Sequence, residues 1–211
     1  AAAAGADEDR HERNFSALFL RSVRSLVHSL EAKDPYTRHH SKRVSVMGDR
    51  IASILGLGPD ARQKVRLAGL LHDVGKIGVD KAVLHKRGPL DEEERQQIYD
   101  HPLMGERILK PMMARYPEIV LYCKHEHERW DGGGYPTGLE GEDIPIGARI
   151  IAVADCYDAV CSDRPYRKAQ GHEKAMAILE RNAGTQFDPT VVNAFTELVA
   201  TGARPPAWRP A

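Results

Sequence analysis

Apolar residues recur at helical spacing through most of the chain. From about Glu12 to Lys33 they fall at Phe15, Leu18, Phe19, Val23, Leu26, Val27 and Leu30, the stripe of an amphipathic helix. Asp34-Pro35 interrupts the stripe and can open a second helix, with proline in its first turn. That helix carries Tyr36, His40, Val44, Met47, Ile51, Ile54 and Leu55, and Gly56-Leu57-Gly58-Pro59 ends it. Asp60 is the expected N-cap of a third helix, with Val65, Leu67, Leu70 and Leu71. It is predicted to end at His72-Asp73, with Gly75 as its breaker. Residues 77–90 read as irregular with a short helical turn. Asp91 and Glu94 form a capping-box pattern. Pro102 marks a kink or a fresh start, followed by Met104, Ile108 and Leu109. Pro117 opens a helix predicted to run through Ile119, Val120 and Cys123 to His127, its pattern stopping at Trp130. Residues 131–145 hold so many glycines and prolines that only a loop fits. Residues 146–161 are apolar on most sides, the pattern of a buried helix. Helices near 171–182 and 189–200 follow, then a Pro-rich tail. Alternating period-two patterns are almost absent, so the expected fold is all-α.

A chain of 211 residues can bury a core without disulfides or metals as staples. Lys+Arg and Asp+Glu both total 30, which argues against binding to long nucleic acid driven by overall charge. Cys123, Cys156 and Cys161 form no CxxC pair, so neither a disulfide framework nor a zinc ribbon is indicated, and a reducing cytoplasm is the expected compartment. No apolar run is long enough for membrane insertion. The alanine start and Asp7-Glu8-Asp9-Arg10 lack the layout of a leader and read as the end of a linker. The organisation expected is an N-terminal helix over 1–33, a main domain over 34–200 and the tail over 201–211.

Polar residues break into the apolar helices at His40, His72, Asp73, His101, the run His125-Glu126-His127, and Asp155. Taken singly, each has an ordinary reading: a buried histidine is usually hydrogen-bonded core, and a buried aspartate usually pairs with arginine or caps a helix. Five helices that each carry one make convergence the better account. Two or three imidazoles and carboxylates per cation would make a two-metal hydrolytic site. The mixed nitrogen and oxygen donors suit iron or manganese, and nickel, cobalt and zinc also tolerate them. Lys76, just past the His72-Asp73 pair, suits an anionic substrate.

Several longer stretches resemble the HD-GYP domain of the HD phosphohydrolase superfamily. They are His40-Ser41-Lys42-Arg43-Val44, His72 to Gly78, and His101-Pro102 with Gly105. His127 to Pro136, Ile144-Pro145 before Ala148-Arg149-Ile150, Val153-Ala154-Asp155 and Ser162 to Arg167 complete the set. The match runs from about residue 34 to 195 and keeps the family's order. The resemblance implies a helical bundle of the HD-domain type with an irregular Gly-rich loop. It implies hydrolysis of cyclic di-GMP to linear pGpG and often on to GMP. It places one metal on His40, His72, Asp73 and Asp155. The second would share Asp73 as a bridge and take His101, residue 126 and His127. Asp73 and Lys76 are the implied catalytic pair, Lys76 facing the phosphate. Gly134, Tyr135, Pro136, Asp158, Arg164 and Arg167 would line the substrate groove.

The chain departs from that pattern at one ligand. Most members carry two histidines before the glutamate, where this chain reads His125-Glu126-His127-Glu128. Counting back from Trp130 puts Glu126 at the first histidine, while His125 could serve if the helix shifted register. Glutamate would make the site harder and favour manganese or ferrous iron. Some members hold a third metal through a glutamate one turn before the first histidine; Tyr36 stands there, so two metals are expected. His11, His28, His85 and His172 read as surface residues, and Cys156 and Cys161 as packing. Two other functions compete with the phosphodiesterase. One is a binding or protein-interaction module with little turnover. The other is a hydrolase of another cyclic dinucleotide, such as cyclic GMP-AMP. A sensor or receiver domain upstream and a homodimer are the partners that the resemblance adds.

Overall fold

In the computed structural model, the residues described are 21–34, 39–163 and 168–201. Tyr36, Arg164, Arg167 and nearly all of the Pro-rich tail lie outside them, and so do the expectations resting on those residues. Helix α1 is described over 21–33 and buries Val23 and Leu30, the face that the spacing selected.

Helices α2 (His40–Ile54) and α3 (Pro59–Leu71) pack face to face across a short link. On α2 the buried positions include His40, Val44, Met47 and Ile51, spaced three and four apart. The helices approach closely because Gly69 has no side chain: a Cβ there would lie 2.7 Å from Ser45 Cα. Ser45 Oγ uses that approach to donate to the Arg66 carbonyl at 2.7 Å. Asp60 is not the N-cap of α3. Gly58 precedes the helix, Pro59 occupies its first turn, and Asp60 pairs with Lys64 at 2.8 Å.

After α3 the chain makes a 3-10 turn at Val74–Gly78 and a short helix α4 at Lys81–Leu84. Helix α5 (Glu92–Tyr99) starts at the expected capping box, with Asp91 accepting from Glu94 N and Glu94 accepting from Asp91 N, both at 2.9 Å. Helix α6 (His101–Leu109) is a fresh start at Pro102 rather than a kink. Gly75 lies inside the 3-10 turn, and its role is close packing. A Cβ there would collide with the His101 carbonyl oxygen and sit 2.6 Å from Gly105 N. That contact seats the turn against the start of α6.

Helix α7 (Pro117–Lys124) stops three residues short of His127. Successive residues on a helix point about 100° apart, so a helix through His127 could not aim Glu126 and His127 at one place. The chain leaves the helix at His125 and enters the loop 125–145, which contains a 3-10 turn at Gly141–Asp143. Helix α8 (Ile146–Cys161) is the centre of the bundle and contacts α2, α3, α7, α9 (His172–Arg181) and α10 (Pro189–Ala200). Ile150, Ile151, Val153 and Ala154 on α8 are fully buried, as are Leu179 on α9 and Phe195 on α10. Each large aliphatic side chain so buried contributes roughly 1.5–3 kcal/mol. Among the described residues there is no strand, only an isolated bridge between Ala183 and Phe187.

Candidate metal centre

Five segments deliver polar side chains to one end of this core. His40 comes from the first turn of α2, and His72-Asp73 from the end of α3. His101 opens α6, Glu126-His127 follow α7, and Asp155 lies on α8. His40, His72, Asp73, His101 and Glu126 are all at most 2% exposed. Within the described residues the ligand atoms form two groups, His40 with His72 and Asp73, and His101 with Glu126 and His127, each with atoms within 4.8 Å of one another.

The two groups meet at Asp73. Its Oδ2 lies 3.5 Å from His72 Nε2 and 3.9 Å from His40 Nε2, while its Oδ1 lies 3.7 Å from His101 Nε2. Asp155 joins the first group with Oδ1 3.2 Å from His40 Nε2. Glu126 Oε1 lies 3.8 Å from both His101 Nε2 and His127 Nε2. Lys76 Nζ is 2.6 Å from Asp73 Oδ1, carried there by the 3-10 turn.

Three backbone or carboxylate acceptors orient the imidazoles. His72 Nδ1 donates to the Gly69 carbonyl at 3.0 Å, and His101 Nδ1 donates to the Ile98 carbonyl at 2.6 Å. His40 Nδ1 donates to Asp158 Oδ2 at 2.7 Å. With the Nδ1 protons committed outward, the neutral rings of His72 and His101 present Nε2 lone pairs inward, the tautomer a metal ligand needs. His40 Nε2 and His72 Nε2 face each other across 3.3 Å, close enough for one cation to be shared between them once His40 gives up its second proton. In the second group, His101 Nε2, His127 Nε2 and both Glu126 oxygens are buried with no hydrogen-bond partner. Unpaired buried polar atoms are costly, and one from each of these three side chains lies within 4.8 Å of the others, an arrangement that fits a cation.

The electrostatics agree. Burial, then the nearby Asp73 and Asp155 charges, holds the Glu126 carboxyl well above its usual range. Burial and the Lys76 ammonium take His101 down to about 3, and burial takes His127 down to about 4, so both imidazoles are neutral donors. Burial opposes charge on His40, but the hydrogen bonds to Asp155 and Asp158 outweigh it and raise its pKa to about 9. Burial would raise the Asp73 carboxyl, yet Lys76 and the surrounding histidines hold it well below its usual range. A site with three clustered carboxylates and four imidazoles thus has the donors and the negative charge for two divalent cations.

His125 does not reach this cluster. Its Nδ1 bonds Glu128 Oε1 at 3.2 Å and Thr137 Oγ1 at 3.3 Å, facing the loop, so Glu126 is the residue that points inward. Asp158 also departs from its expected place. Rather than lining the groove, it is 3% exposed, grips His40, and receives Arg43 through Nε and Nη2. One helical turn separates Asp155 and Asp158, so one face of α8 holds both ring nitrogens of His40. His172 and His85 are half-buried rather than on the surface; His172 Nδ1 bonds Tyr157 OH at 2.9 Å.

Above the cluster lies a cleft of about 380 Å³ bordered by Glu126, His127, Asp155, Gly134, Tyr135 and Tyr99. The Tyr135 ring stacks on His127 at 5.0 Å and 15°. The residue that places this loop is Glu128, whose buried carboxylate accepts from Thr137 N at 2.8 Å, Gly138 N at 3.0 Å and Leu139 N at 3.2 Å. Close packing of Gly134 against the Glu128 and Arg129 backbone completes the seat. Trp130 N and Asp131 N donate to the Gln186 and Thr185 carbonyls, tying the loop to the turn before α10. Glu128 was missed in the sequence reading, although a glutamate leading into a run of unpaired loop amides is a signal for such a role.

A family model described as the HD domain matches residues 24–191. The 3'3'-cGAMP-specific phosphodiesterase 3 of Vibrio cholerae is 42% identical over 160 residues, 76% of this chain and 35% of that protein. The cyclic di-GMP phosphodiesterase of Thermotoga maritima is 39% identical over 185 residues, 85% of this chain and 50% of that protein. The chain therefore spans half or less of the length of these relatives. The crystal structure of a Vibrio cholerae cyclic GMP-AMP specific phosphodiesterase aligns with a TM-score of 0.65 at 20% identity, over 85% of this chain and 48% of that one, a likeness of fold. Helical architecture, ligand convergence on His72-Asp73 and the match over most of the sequence lead to one assignment: the chain belongs to the HD domain family, and it carries the Gly134-Tyr135-Pro136 sequence of the HD-GYP type.

Proposed function

We propose that the chain is the catalytic module of a metal-dependent cyclic di-GMP phosphodiesterase that forms pGpG and, by a second cut, GMP. The observation that carries this reading is the pair of ligand groups meeting at Asp73, with Glu126, His127 and Asp155 bordering an open cleft. His40, His72, Asp73 and Asp155 would hold one divalent cation, and Asp73, His101, Glu126 and His127 the other. Two such cations supply Lewis acidity to phosphate oxygens and an acidified water as nucleophile. The Glu126 carboxylate makes manganese or ferrous iron the metals of choice. Lys76 Nζ lies 2.6 Å from Asp73 Oδ1, where its ammonium would offset charge developing on a phosphate oxygen. Asp158 and Arg43 keep His40 oriented, and the Glu128-anchored loop seats Tyr135 over His127. Arg164 and Arg167 are assigned to the groove from sequence.

The likeness to the 3'3'-cGAMP-specific relative supports a second substrate, cyclic GMP-AMP. The test is to load the protein anaerobically with manganese or ferrous iron and incubate it with each cyclic dinucleotide, following products by chromatography. Linear dinucleotide or mononucleotide from cyclic di-GMP is the expected result. Turnover of cyclic GMP-AMP alone would reassign the substrate. Tight binding with no product from either would replace the enzyme by a binding module.

A further inference from the structure

Tyr99 occupies a position that packing does not explain. It is the last residue of α5, a helix that buries none of its residues. At 42% exposed, it is the one large aromatic side chain so open among the described residues. An aromatic ring held there only as cover would normally sink its apolar surface, because each buried ring contributes strongly to stability. Instead it borders the cleft above the ligand cluster. Its ring lies 4.6 Å from that of Tyr135 at a 34° tilt, and Tyr135 in turn stacks on His127. His127, Tyr135 and Tyr99 thus form a staircase of rings that starts at a ligand and ends at open solvent.

We propose that Tyr99 is a nucleobase-stacking residue that seats one purine of the substrate at the mouth of the cleft. The inference rests on the cyclic dinucleotide reading above and adds a residue that the resemblance does not assign. Three features favour a base as occupant. Purines present flat faces to aromatic rings, and such stacking tolerates either guanine or adenine. The ring stack runs from Tyr99 through Tyr135 to His127, so a base on Tyr99 would sit in the same cleft that Glu126, His127 and Asp155 border. Acidic groups line the cleft at Glu126 and Asp155, and its bordering cation, Arg129, is already paired with Asp131 at 2.6 Å, so a flat uncharged ring suits the Tyr99 side better than a second anion.

The test is steady-state kinetics of metal-loaded wild type, Tyr99→Phe and Tyr99→Ala on cyclic di-GMP and cyclic GMP-AMP. Inhibition constants for GMP and for ribose 5-phosphate, which lacks the base, are measured alongside. Tyr99→Ala should raise KM roughly 5- to 20-fold with kcat within about twofold, the low end of base–aromatic stacking because Tyr135 remains. The GMP inhibition constant should rise in parallel, that of ribose 5-phosphate should not change, and Tyr99→Phe should behave as wild type. An unchanged KM in Tyr99→Ala overturns the proposal while leaving the phosphodiesterase reading intact. Equal weakening of GMP and ribose 5-phosphate also overturns it, because that pattern marks a structural role through Tyr135. Wild type that neither binds nor cuts any cyclic dinucleotide removes the parent reading and this one with it.

Discussion

Replacing Glu128 by glutamine tests whether one buried carboxylate holds the loop over the site. Glu128 Oε2 accepts from two backbone amides, Gly138 and Leu139, and Oε1 accepts from Thr137 while pairing with His125. Glutamine keeps the shape but offers one oxygen and one NH2 group. Its better orientation keeps the oxygen on Gly138 and Leu139 and turns the NH2 towards His125, which strands the Thr137 amide. A bond to a charged group contributes about 1.5–3 kcal/mol and a neutral one about 0.5–1.5. Losing one and weakening two costs the closed loop about 2–4 kcal/mol, some 30- to several-hundred-fold in its open population. Hydrogen exchange followed by mass spectrometry reads this directly. Peptides covering 132–145 should lose protection by that factor, while those from α3 and α8 keep theirs, because the loop can open without disturbing the core. KM for a cyclic dinucleotide should rise as Tyr135 leaves His127. Unchanged protection at 137–139 in a folded Glu128→Gln variant would refute the anchoring role.

Three other changes separate the parts of the site. Asp158→Asn should weaken metal binding about 10- to 100-fold through loss of His40 orientation, seen by metal titration with helix content by circular dichroism unchanged; weaker substrate binding with full metal content would return Asp158 to the groove. Glu126→Met replaces unpaired buried oxygens by apolar atoms of similar volume. The metal-free protein should gain about 1–3 kcal/mol in denaturant unfolding while the bound metal falls from two to one per chain, and a loss of stability would contradict the unpaired carboxylate. Gly75→Ala forces the 3-10 turn away from the His101 carbonyl, so its melting temperature and its metal content should fall together; a variant with wild-type metal content would show that the turn can yield without moving His101.

What could be read without coordinates followed from local chemistry. The capping box at Asp91 and Glu94 involves residues three apart, and the all-round apolar pattern of α8 requires burial whatever surrounds it. The His72-Asp73 pair marks a site only together with His40, His101, His127 and Asp155, because polar residues at several helices need one common reason where each alone has an ordinary one. The choice between Glu126 and His125, and the place of Asp158, depend on direction rather than residue type. Glu126 and His125 are chemically interchangeable as ligands in sequence, and only the exit of the chain from α7 turns one inward and the other to Glu128. Asp155 and Asp158 lie on one face of α8, so their spacing alone does not tell which bonds Nε2 and which bonds Nδ1 of the same ring. Tyr99 gave no signal at all, because α5 has no apolar face against which an exposed aromatic would stand out.

The candidate ligands come from five segments, with His40 and Asp155 more than a hundred residues apart in the chain. An unfolded chain holds no such arrangement, so cations that fit this cluster bind the folded state alone and act as folding ligands. Mass action then ties stability to free metal, with about 2.7 kcal/mol gained at a hundred times the dissociation constant. If the proposed cations are held here, they would also decide how long the bundle survives, so starving the protein of metal would shorten its lifetime as well as remove the proposed activity.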